Sequence, residues 1–286
     1  MQIIALRKYA VAVAAVGAVA TVLAIAAVAA SPAAGQQNVT YNVTIENLTS
    51  GQPFTPPVVA AHTSGIDVFE VGQAASPEVL AIAENGNNDP LVAVLGGSAA
   101  VLDSASGTAP VKPGESATIT VEAPSGSLLS VVFMLICTND GFSGVDSRTL
   151  LASGSDTVDR DAYDAGTEDN TEDFADIVPP CQDLIGVSSA DAGTGETNPA
   201  LAEGGVIVAH AGIQGGTDLT VADHGWTDPV ARITVVAEAA SLPESGGAPP
   251  AGSSGGLWVL YLSIAGAALL IVGGGAFFVA SRRPVR

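Results

Sequence analysis

The strongest constraint on the fold of this chain is the alternation of apolar and polar residues in two short stretches. Tyr41, Val43 and Ile45 alternate with polar neighbours, and Ile119 and Val121 repeat the pattern after a Pro-Gly turn. A period of two places every second side chain on the same face of an extended backbone. Both stretches are therefore predicted to be β-strands with one buried face.

Three other stretches predict further strands. Residues 128–136 are apolar apart from Ser130, which predicts a central strand packed on both faces. Residues 206–209 and 232–236 are shorter apolar-rich stretches and predict two more strands near the end of the domain.

One short helix is predicted at 76–86. Ser76 is a good N-cap, Pro77 suits the first helical position, and Gly86 ends the helix. Many short strands joined by Gly and Pro turns predict an all-β fold, an antiparallel β-sandwich with this one helix.

The N-terminal stretch, 1–34, predicts a secretory signal peptide. Arg7 and Lys8 precede an uncharged apolar run, and small residues follow it. Cleavage is expected near Ala30 or Ala34, and the alternative is an uncleaved membrane anchor. Both alternatives predict that the protein is exported.

The C-terminal stretch predicts a transmembrane helix. Residues 257–280 carry no charge and are long enough to span a bilayer. The basic tail, 281–286, is expected to stay in the cytoplasm under the positive-inside rule, so the preceding domain faces outward. The protein is therefore predicted to lie at the cell surface.

A Pro-, Gly- and Ser-rich stretch, 241–256, predicts a flexible linker between the domain and the transmembrane helix. It contains a pentapeptide that resembles the LPxTG sorting signal of bacterial surface proteins, formed by Leu242, Pro243, Glu244, Ser245 and Gly246. Cleavage by a sortase would attach the domain to the cell wall. The alternative is a plain linker and a permanent membrane anchor.

The chain is strongly acidic, with 29 Asp and Glu against 9 Lys and Arg and a formal net charge of −20. Nucleic acid is not an expected partner, because binding to it requires clustered Lys and Arg. The charge favours a cation or a basic surface as partner. The alternative explanations are solubility and a high-salt habitat.

The acidity is most concentrated between Cys137 and Cys181. Residues 156–176 hold nine carboxylates and a single base, Arg160. Like charges at this density repel one another unless they are solvated or neutralised. Ca²⁺ takes about six to eight oxygen ligands, so one hypothesis is a calcium site on this loop. The alternative is a solvated acidic loop.

The two cysteines are predicted to form a disulfide, Cys137–Cys181, because an exported protein meets an oxidising compartment. Closing the loop between them would stabilise the fold by roughly 4 kcal/mol. The alternative is a pair of unlinked thiols.

An enzyme is not predicted. No GxSxG nucleophile motif occurs within the predicted domain at 39–240, and His62, His210 and His224 lie in unrelated sequence contexts. Aromatic residues, which commonly line sugar-binding clefts, make up only 5% of the chain. A secreted hydrolase is therefore the least favoured of the functional hypotheses.

Four segments together resemble a spondin domain, most closely the bacterial stand-alone members and more distantly the N-terminal modules of the animal F-spondins. The segments are 43–62, 69–86, 138–147 and 163–170, and the last two read TNDGFSGVDS and YDAGTEDN. The resemblance covers residues 39–240. It implies a fold similar to that of the calcium-dependent lipid-binding β-sandwiches.

The resemblance also implies a set of calcium ligands. The animal members bind Ca²⁺ in loops at one end of the domain, and their motif falls on Asp140, Asp164 and Glu168 of this sequence. Glu168 stands where the animal motif has Asp, so Asp169 could substitute for it. Asp146 belongs to the same motif and is interpreted as a turn or strand-capping residue.

The favoured hypothesis is a surface-displayed, calcium-binding module for adhesion or binding to the extracellular matrix. Its partner would be an extracellular protein or polysaccharide that the sequence does not identify. A structural acidic surface protein without a specific metal site is the main alternative.

Overall fold

The computed structural model of the chain describes residues 37–187 and 189–238. The ten β-strands in these residues form two antiparallel sheets. One sheet has four strands and the other has six. Apolar side chains from both sheets meet in one shared core. The predicted antiparallel sandwich is confirmed in this architecture.

The smaller sheet contains the strands with the clearest sequence pattern. Tyr41, Val43 and Ile45 are buried in the shared core, which confirms the prediction for their strand. Ile119 and Val121 are buried in the same core. The strands are β1 (Asn38–Asn47), β4 (Ser116–Pro124), β7 (Gly154–Arg160) and β10 (Ala231–Ala237), and their order is β4–β1–β10–β7.

The larger sheet has the predicted central strand in its interior. Its strands are β2 (Val58–His62), β3 (Val101–Ser106), β5 (Leu128–Met134), β6 (Gly141–Thr149), β8 (Tyr163–Asp164) and β9 (Val208–Ala209), in the order β3–β2–β5–β6–β8–β9. In β5, Val131 and Phe133 pack in the core between the sheets, whereas Val132 and Met134 pack in a second core on the outer face. The strand predicted at 206–209 is reduced to Val208–Ala209.

The described residues contain four α-helices and two short 3-10 helices, so the prediction of a single helix was wrong. The predicted helix is α1 (Pro77–Asn85), capped by Ser76 and ended by Gly86 at φ 62°. The others are α2 (Asp89–Gly97), α3 (Pro180–Ile185) and α4 (Val221–His224). In α2 only Leu91 and Leu95 are buried, so its sequence lacks the full apolar stripe that predicts a helix.

The outer face of the larger sheet is covered by helices and by the acidic stretch. Val79 and Ile82 of α1 and Leu91 of α2 pack in the second core with residues of β5. Phe174 and the two cysteines belong to the same core. The acidic stretch therefore has an apolar underside that fixes it against the sheet, instead of being solvated on all sides.

A chain of polar groups crosses this outer face, in which His62 and Ser130 are buried and Asp146 is half-buried. His62 Nε2 lies 2.8 Å from Ser130 Oγ, and Ser130 Oγ donates to Asp146 Oδ1 at 2.8 Å. The backbone N–H of Val68 donates to the same carboxylate oxygen at 2.7 Å. Asp146 therefore lies within β6 and not at a turn. Its carboxylate connects β6 to β5 and to the segment after β2.

No helix within 37–187 and 189–238 is long and apolar enough to cross a membrane. The predicted signal peptide at 1–34, the linker and sorting motif at 241–256, the transmembrane helix at 257–280 and the tail at 281–286 all lie outside the described residues.

Candidate metal centre

The pairing of β6 with β8 brings two of the predicted ligands together. Asp140 is the last residue before β6, and Asp164 is the second residue of β8. Gly141 and Asp164 are partners in the sheet register, and the N–H of Ala165 donates to the carbonyl oxygen of Asp140 at 3.2 Å. Residues that are 24 positions apart in sequence thus lie side by side at one end of the larger sheet.

Asp140 has one carboxylate oxygen that is fully hydrogen-bonded and one that is not. Its Oδ2 accepts the N–H of Thr167 at 2.8 Å, the Thr167 hydroxyl at 3.2 Å and the N–H of Glu168 at 3.1 Å. Its Oδ1 is buried and has no hydrogen-bond partner. A buried carboxylate oxygen left in this state is destabilising unless another group neutralises it.

The electrostatic environment of Asp140 opposes its ionisation. Burial, followed by the nearby negative charge of Asp164, raises the pKa of Asp140 to about 7. The hydrogen bonds from Thr167 and Glu168 act in the opposite direction without reversing the shift. A bound cation would supply the missing positive charge and favour the ionised form.

Asp164 is also oriented by neighbouring groups. Its Oδ1 accepts the N–H of Gly166 at 2.8 Å, and its Oδ2 accepts the side-chain amide of Asn170 at 2.7 Å. The residue is 8% exposed. Each of its oxygens keeps a second lone pair that could be given to a cation.

The third carboxylate of this centre belongs to Glu203, which the sequence did not predict. Oxygens of Asp140, Asp164 and Glu203 all lie within 4.8 Å of one another. Glu203 is exposed and sits on a segment that is tied to the loop after β8, because its N–H donates to Thr167 O at 3.1 Å. The only sequence signal is an isolated acid beside the two glycines of AEGG.

A glycine makes this close approach of the two segments possible. Gly166 has a φ of 66° and accepts the N–H of Gly205 at 2.7 Å. A Cβ atom at position 166 would lie 2.6 Å from the carbonyl oxygen of Val206. The loop that holds Asp164 can therefore contact the segment of Glu203 only without a side chain at this position.

The other predicted ligands lie apart from this group of three. Glu168 is buried but does not belong to the group. Burial, and after it the charges of Glu84, Asp176 and Asp140, raise the pKa of Glu168 to about 8. Asp169 is exposed and likewise lies outside the group.

The arrangement fits a hard divalent cation. Two oxygens bound to the same Ca²⁺ at about 2.4 Å cannot lie farther apart than about 4.8 Å, and the oxygens of Asp140, Asp164 and Glu203 meet this limit. None of the three forms an ion pair with a base, since the ion pairs of the described residues are Arg148–Asp156, Arg232–Asp159 and Arg232–Glu46. The unpartnered Oδ1 of Asp140 is the atom of the group that a bound cation would satisfy.

A second group of three acids in the described residues is a weaker candidate for a metal site. Asp173, Asp191 and Asp218 also bring carboxylate oxygens within 4.8 Å of one another, but Asp191 is exposed. Asp173 accepts the N–H of Ala175 as the cap of a 3-10 turn, and Asp218 accepts the N–H of Phe174. None of the three has a buried carboxylate oxygen without a hydrogen-bond partner. Hydrogen bonds within the protein therefore explain why these acids lie close together, and no bound ion is needed.

The disulfide that bounds the acidic stretch is confirmed. Cys137 and Cys181 are bonded and both fully buried, with Cα atoms 5.0 Å apart. Cys137 follows β5 and Cys181 lies in α3, so the bond joins the beginning and the end of the acidic stretch.

A serine and a histidine are in contact, but they are closed to solvent. His62 is 0% and Ser130 2% exposed, and both lie in the polar chain on the outer face of the larger sheet. The contact joins β2 to β5.

Comparison with known families gives one match. Residues 46–178 match the family model for the spondin N-terminal domain, Spondin_N. The matched part of the chain is a spondin domain. The family inferred from the four sequence segments is therefore confirmed. No curated protein shows significant similarity to the chain.

The boundaries of the match divide the candidate centre. Asp140, Asp164 and Glu168 fall within the part of the spondin domain that matches the family model, whereas Glu203 and Cys181 lie beyond residue 178. The third carboxylate of the centre is thus contributed by sequence outside the match. This explains why a family resemblance drew attention to Glu168 and not to Glu203.

Proposed function

We infer that the spondin domain of this chain is a calcium-binding module that is displayed outside the cell, where it serves adhesion or binding to the extracellular matrix. The metal centre is formed by Asp140 and Asp164, with Glu203 as a third carboxylate. The single observation that supports calcium most strongly is the buried Oδ1 of Asp140, which has no hydrogen-bond partner and faces a centre without a base.

The geometry favours calcium over a transition metal. All three candidate ligands are carboxylates, and no histidine or free cysteine belongs to the group. Oxygen-only sites suit Ca²⁺ and Mg²⁺. The three carboxylates come from three separate segments, and the exposed Glu203 can adjust its position, so the site can provide the irregular coordination that Ca²⁺ accepts and Mg²⁺ does not.

The proposed location at the cell surface is based on the apolar segments near the N- and C-termini. A signal peptide at 1–34 would export the domain, and the apolar segment at 257–280 would retain it at the membrane unless a sortase transfers it to the cell wall through Leu242–Gly246. The confirmed disulfide is consistent with export, because such bonds form in oxidising compartments. The partner proposed for the displayed domain is an extracellular protein or polysaccharide.

Calcium binding can be tested by titration calorimetry on the full chain, purified in a mild detergent and freed of metal with a chelator. The wild-type protein should bind Ca²⁺, and Asp164→Asn should lose at least tenfold in affinity for the centre. Asp161→Asn is the matched control, because Asp161 is exposed in the same acidic stretch and lies outside the group. Absence of binding by the wild type, or equal loss in the control, would contradict the proposal.

Adhesion can be tested separately by immobilising the full chain and measuring capture of proteins and polysaccharides from the native extracellular matrix. Capture that requires calcium and is abolished by Asp164→Asn would support the proposal. Capture that is unchanged by a chelator would show that the metal centre does not serve adhesion.

A further inference from the structure

The last strand of the larger sheet and the residues just before it carry exposed apolar side chains. Val206 is 42% and Val208 46% exposed, whereas Ile207 between them is buried. Exposure thus alternates along the segment, and both valines project to solvent. Strands at the edge of a sheet usually carry charged residues at such positions, so two exposed valines at the end of the strand order require an explanation.

The register of β8 and β9 places these valines beside the candidate metal centre. Val208 pairs with Asp164, and residues directly opposite in an antiparallel pair project from the same face with Cβ atoms about 4.5–5.5 Å apart. Val206 lies against the loop after β8, since a Cβ atom added at Gly166 would be 2.6 Å from its carbonyl oxygen. Glu203, the third carboxylate of the centre, is three residues before Val206 on the same segment.

A third exposed valine, Val71, lies on the adjoining segment, and more than half of its surface is exposed. The N–H of Gly72 donates to Ile207 O at 2.8 Å, and the N–H of Ile207 donates to Gln73 O at 2.8 Å. These two hydrogen bonds hold the segment of Val71 alongside the segment that carries the other two valines. Val71, Val206 and Val208 are termed the valine surface.

The three carboxylates of the centre do not fill the coordination shell of a calcium ion. Asp140 offers only Oδ1, because its Oδ2 already accepts three hydrogen bonds. Even if Asp164 and Glu203 each gave both oxygens, the carboxylates would supply fewer than the roughly six to eight ligands that Ca²⁺ takes. The remaining positions are open to backbone carbonyls, water or a partner. Glu203 is exposed, so a partner can approach the centre from the segment of the valines.

We propose that the valine surface and the metal centre together form a docking site for a protein partner that presents a carboxylate beside an apolar side chain. The proposal rests on the proposed function, since the carboxylate of the partner would bind to the calcium ion of the centre. The apolar side chain would pack on Val206 and Val208, and removing this apolar surface from water is favourable. The valines thus add affinity and select against acidic partners without an apolar neighbour.

Charge and composition favour a protein over a membrane or a polysaccharide as this partner. The chain has a formal net charge of −20, so a broad anionic lipid surface repels it, and surfaces that bind such membranes carry clustered Lys and Arg. The hydroxyl groups of a polysaccharide lose hydrogen bonds when they are buried against valine. A single carboxylate with an apolar neighbour, as a protein segment offers, matches both the cation and the valines.

The proposal is tested with random heptapeptides displayed on phage and selected in calcium on the immobilised full chain, which is kept in solution with an amphipol. Peptides released by a chelator are expected to carry Asp or Glu beside Leu, Ile, Val or an aromatic residue. Fluorescence anisotropy of a synthetic peptide with the selected sequence then gives its dissociation constant. Val208→Ser should weaken peptide binding at least fivefold and leave calcium affinity unchanged in calorimetry. Val236→Ser is the matched control, because Val236 is 40% exposed on β10 of the other sheet.

The outcomes separate this proposal from the proposed function. If the wild type binds no calcium in calorimetry, both fail. If it binds calcium but enriches no peptide with an acid beside an apolar residue, or if Val208→Ser binds the peptide as tightly as Val236→Ser, the docking site alone is overturned. Vesicles of phosphatidylserine test the lipid alternative. Calcium-dependent binding of the wild type to them that Val208→Ser loses would assign the valine surface to a membrane and overturn the protein partner.

Discussion

The backbone N–H of Thr167 donates to Asp140 Oδ2 at 2.8 Å, which fastens the loop after β8 to the carboxylate that precedes β6. The hydrogen bond satisfies one oxygen of Asp140 and leaves Oδ1 buried without a partner. Asp140 is therefore held in a fixed orientation with one oxygen available to a cation.

The first prediction concerns pH in the absence of calcium. The pKa of Asp140 is about 7 in the folded protein, compared with about 3.9 in an unfolded chain. The folded state then binds more protons at Asp140 between these values, so the contribution of Asp140 to stability is fully present below about pH 4 and is lost as the pH rises through 7.

This loss is expected to reach about 4 kcal/mol for one such group. Chemical unfolding of the full chain in a chelator, repeated from pH 4 to pH 8, measures it, and Asp140→Asn should remove this part of the fall while leaving the part that comes from Glu168, whose pKa is also raised. A stability that rises across this range in the wild type, or a fall of equal size in Asp140→Asn, would contradict the assignment.

The second prediction concerns Gly166, which lets the loop of Asp164 approach the segment of Glu203. Gly166→Ala would place a Cβ atom 2.6 Å from Val206 O and is expected to separate the two segments. Calcium affinity measured by calorimetry should fall at least tenfold.

Gly154→Ala supplies the matched control, since Gly154 also has a positive φ of 84° but no atom within 4 Å of the added Cβ. It should cost only about 1 kcal/mol of stability from backbone strain and leave calcium affinity unchanged. Equal calcium affinity in the two variants would show that the approach of the segments does not matter for binding.

The third prediction concerns the polar chain on the outer face of the larger sheet. Ser130→Ala leaves His62 Nε2 without its partner and removes a donor to Asp146. Unsatisfied buried polar groups cost about 1–3 kcal/mol each, so the unfolding free energy should fall by at least that amount. Ser116→Ala, at an exposed position of β4, should change it by less than about 0.5 kcal/mol. A loss in Ser130→Ala no larger than in this control would refute the structural role.

The fourth prediction concerns the disulfide. Replacing both Cys137 and Cys181 by Ala removes a crosslink between residues 44 positions apart. The chain-entropy account expects a loss of roughly 4 kcal/mol, which denaturant unfolding of the double variant would measure. Unfolding free energies that agree within error for the double variant and the wild type would show that other contacts hold the acidic stretch in place.

The sequence predicted those strands whose pattern reflects burial on one or both faces. The alternation of Tyr41, Val43 and Ile45 identified β1 because its inner face is fully buried. It did not identify α2, in which Val92 and Val94 are exposed while only Leu91 and Leu95 are buried. A pattern-based prediction fails where exposed positions carry apolar residues.

The candidate centre was predictable only as far as its ligands lie in local motifs. Asp140 and Asp164 stand in segments that resemble a spondin domain, and the pairing of β6 with β8 brings them together. Glu203 was missed because its position depends on the long-range packing of the segment 197–206 against the loop after β8. The spacing of residues within a short sequence motif does not predict long-range contacts of this kind.

Thermal unfolding of the full chain in calcium and in a chelator tests the central claim most directly, that a divalent cation occupies the centre of Asp140, Asp164 and Glu203. Calcium at about a hundred times its dissociation constant should stabilise the folded protein by about 2.7 kcal/mol. The melting temperature should rise accordingly in the wild type and in Asp161→Asn, and the rise should be lost or sharply reduced in Asp164→Asn. A wild-type melting temperature that is the same in calcium and in chelator, or a rise of the same size in Asp164→Asn, would contradict the claim.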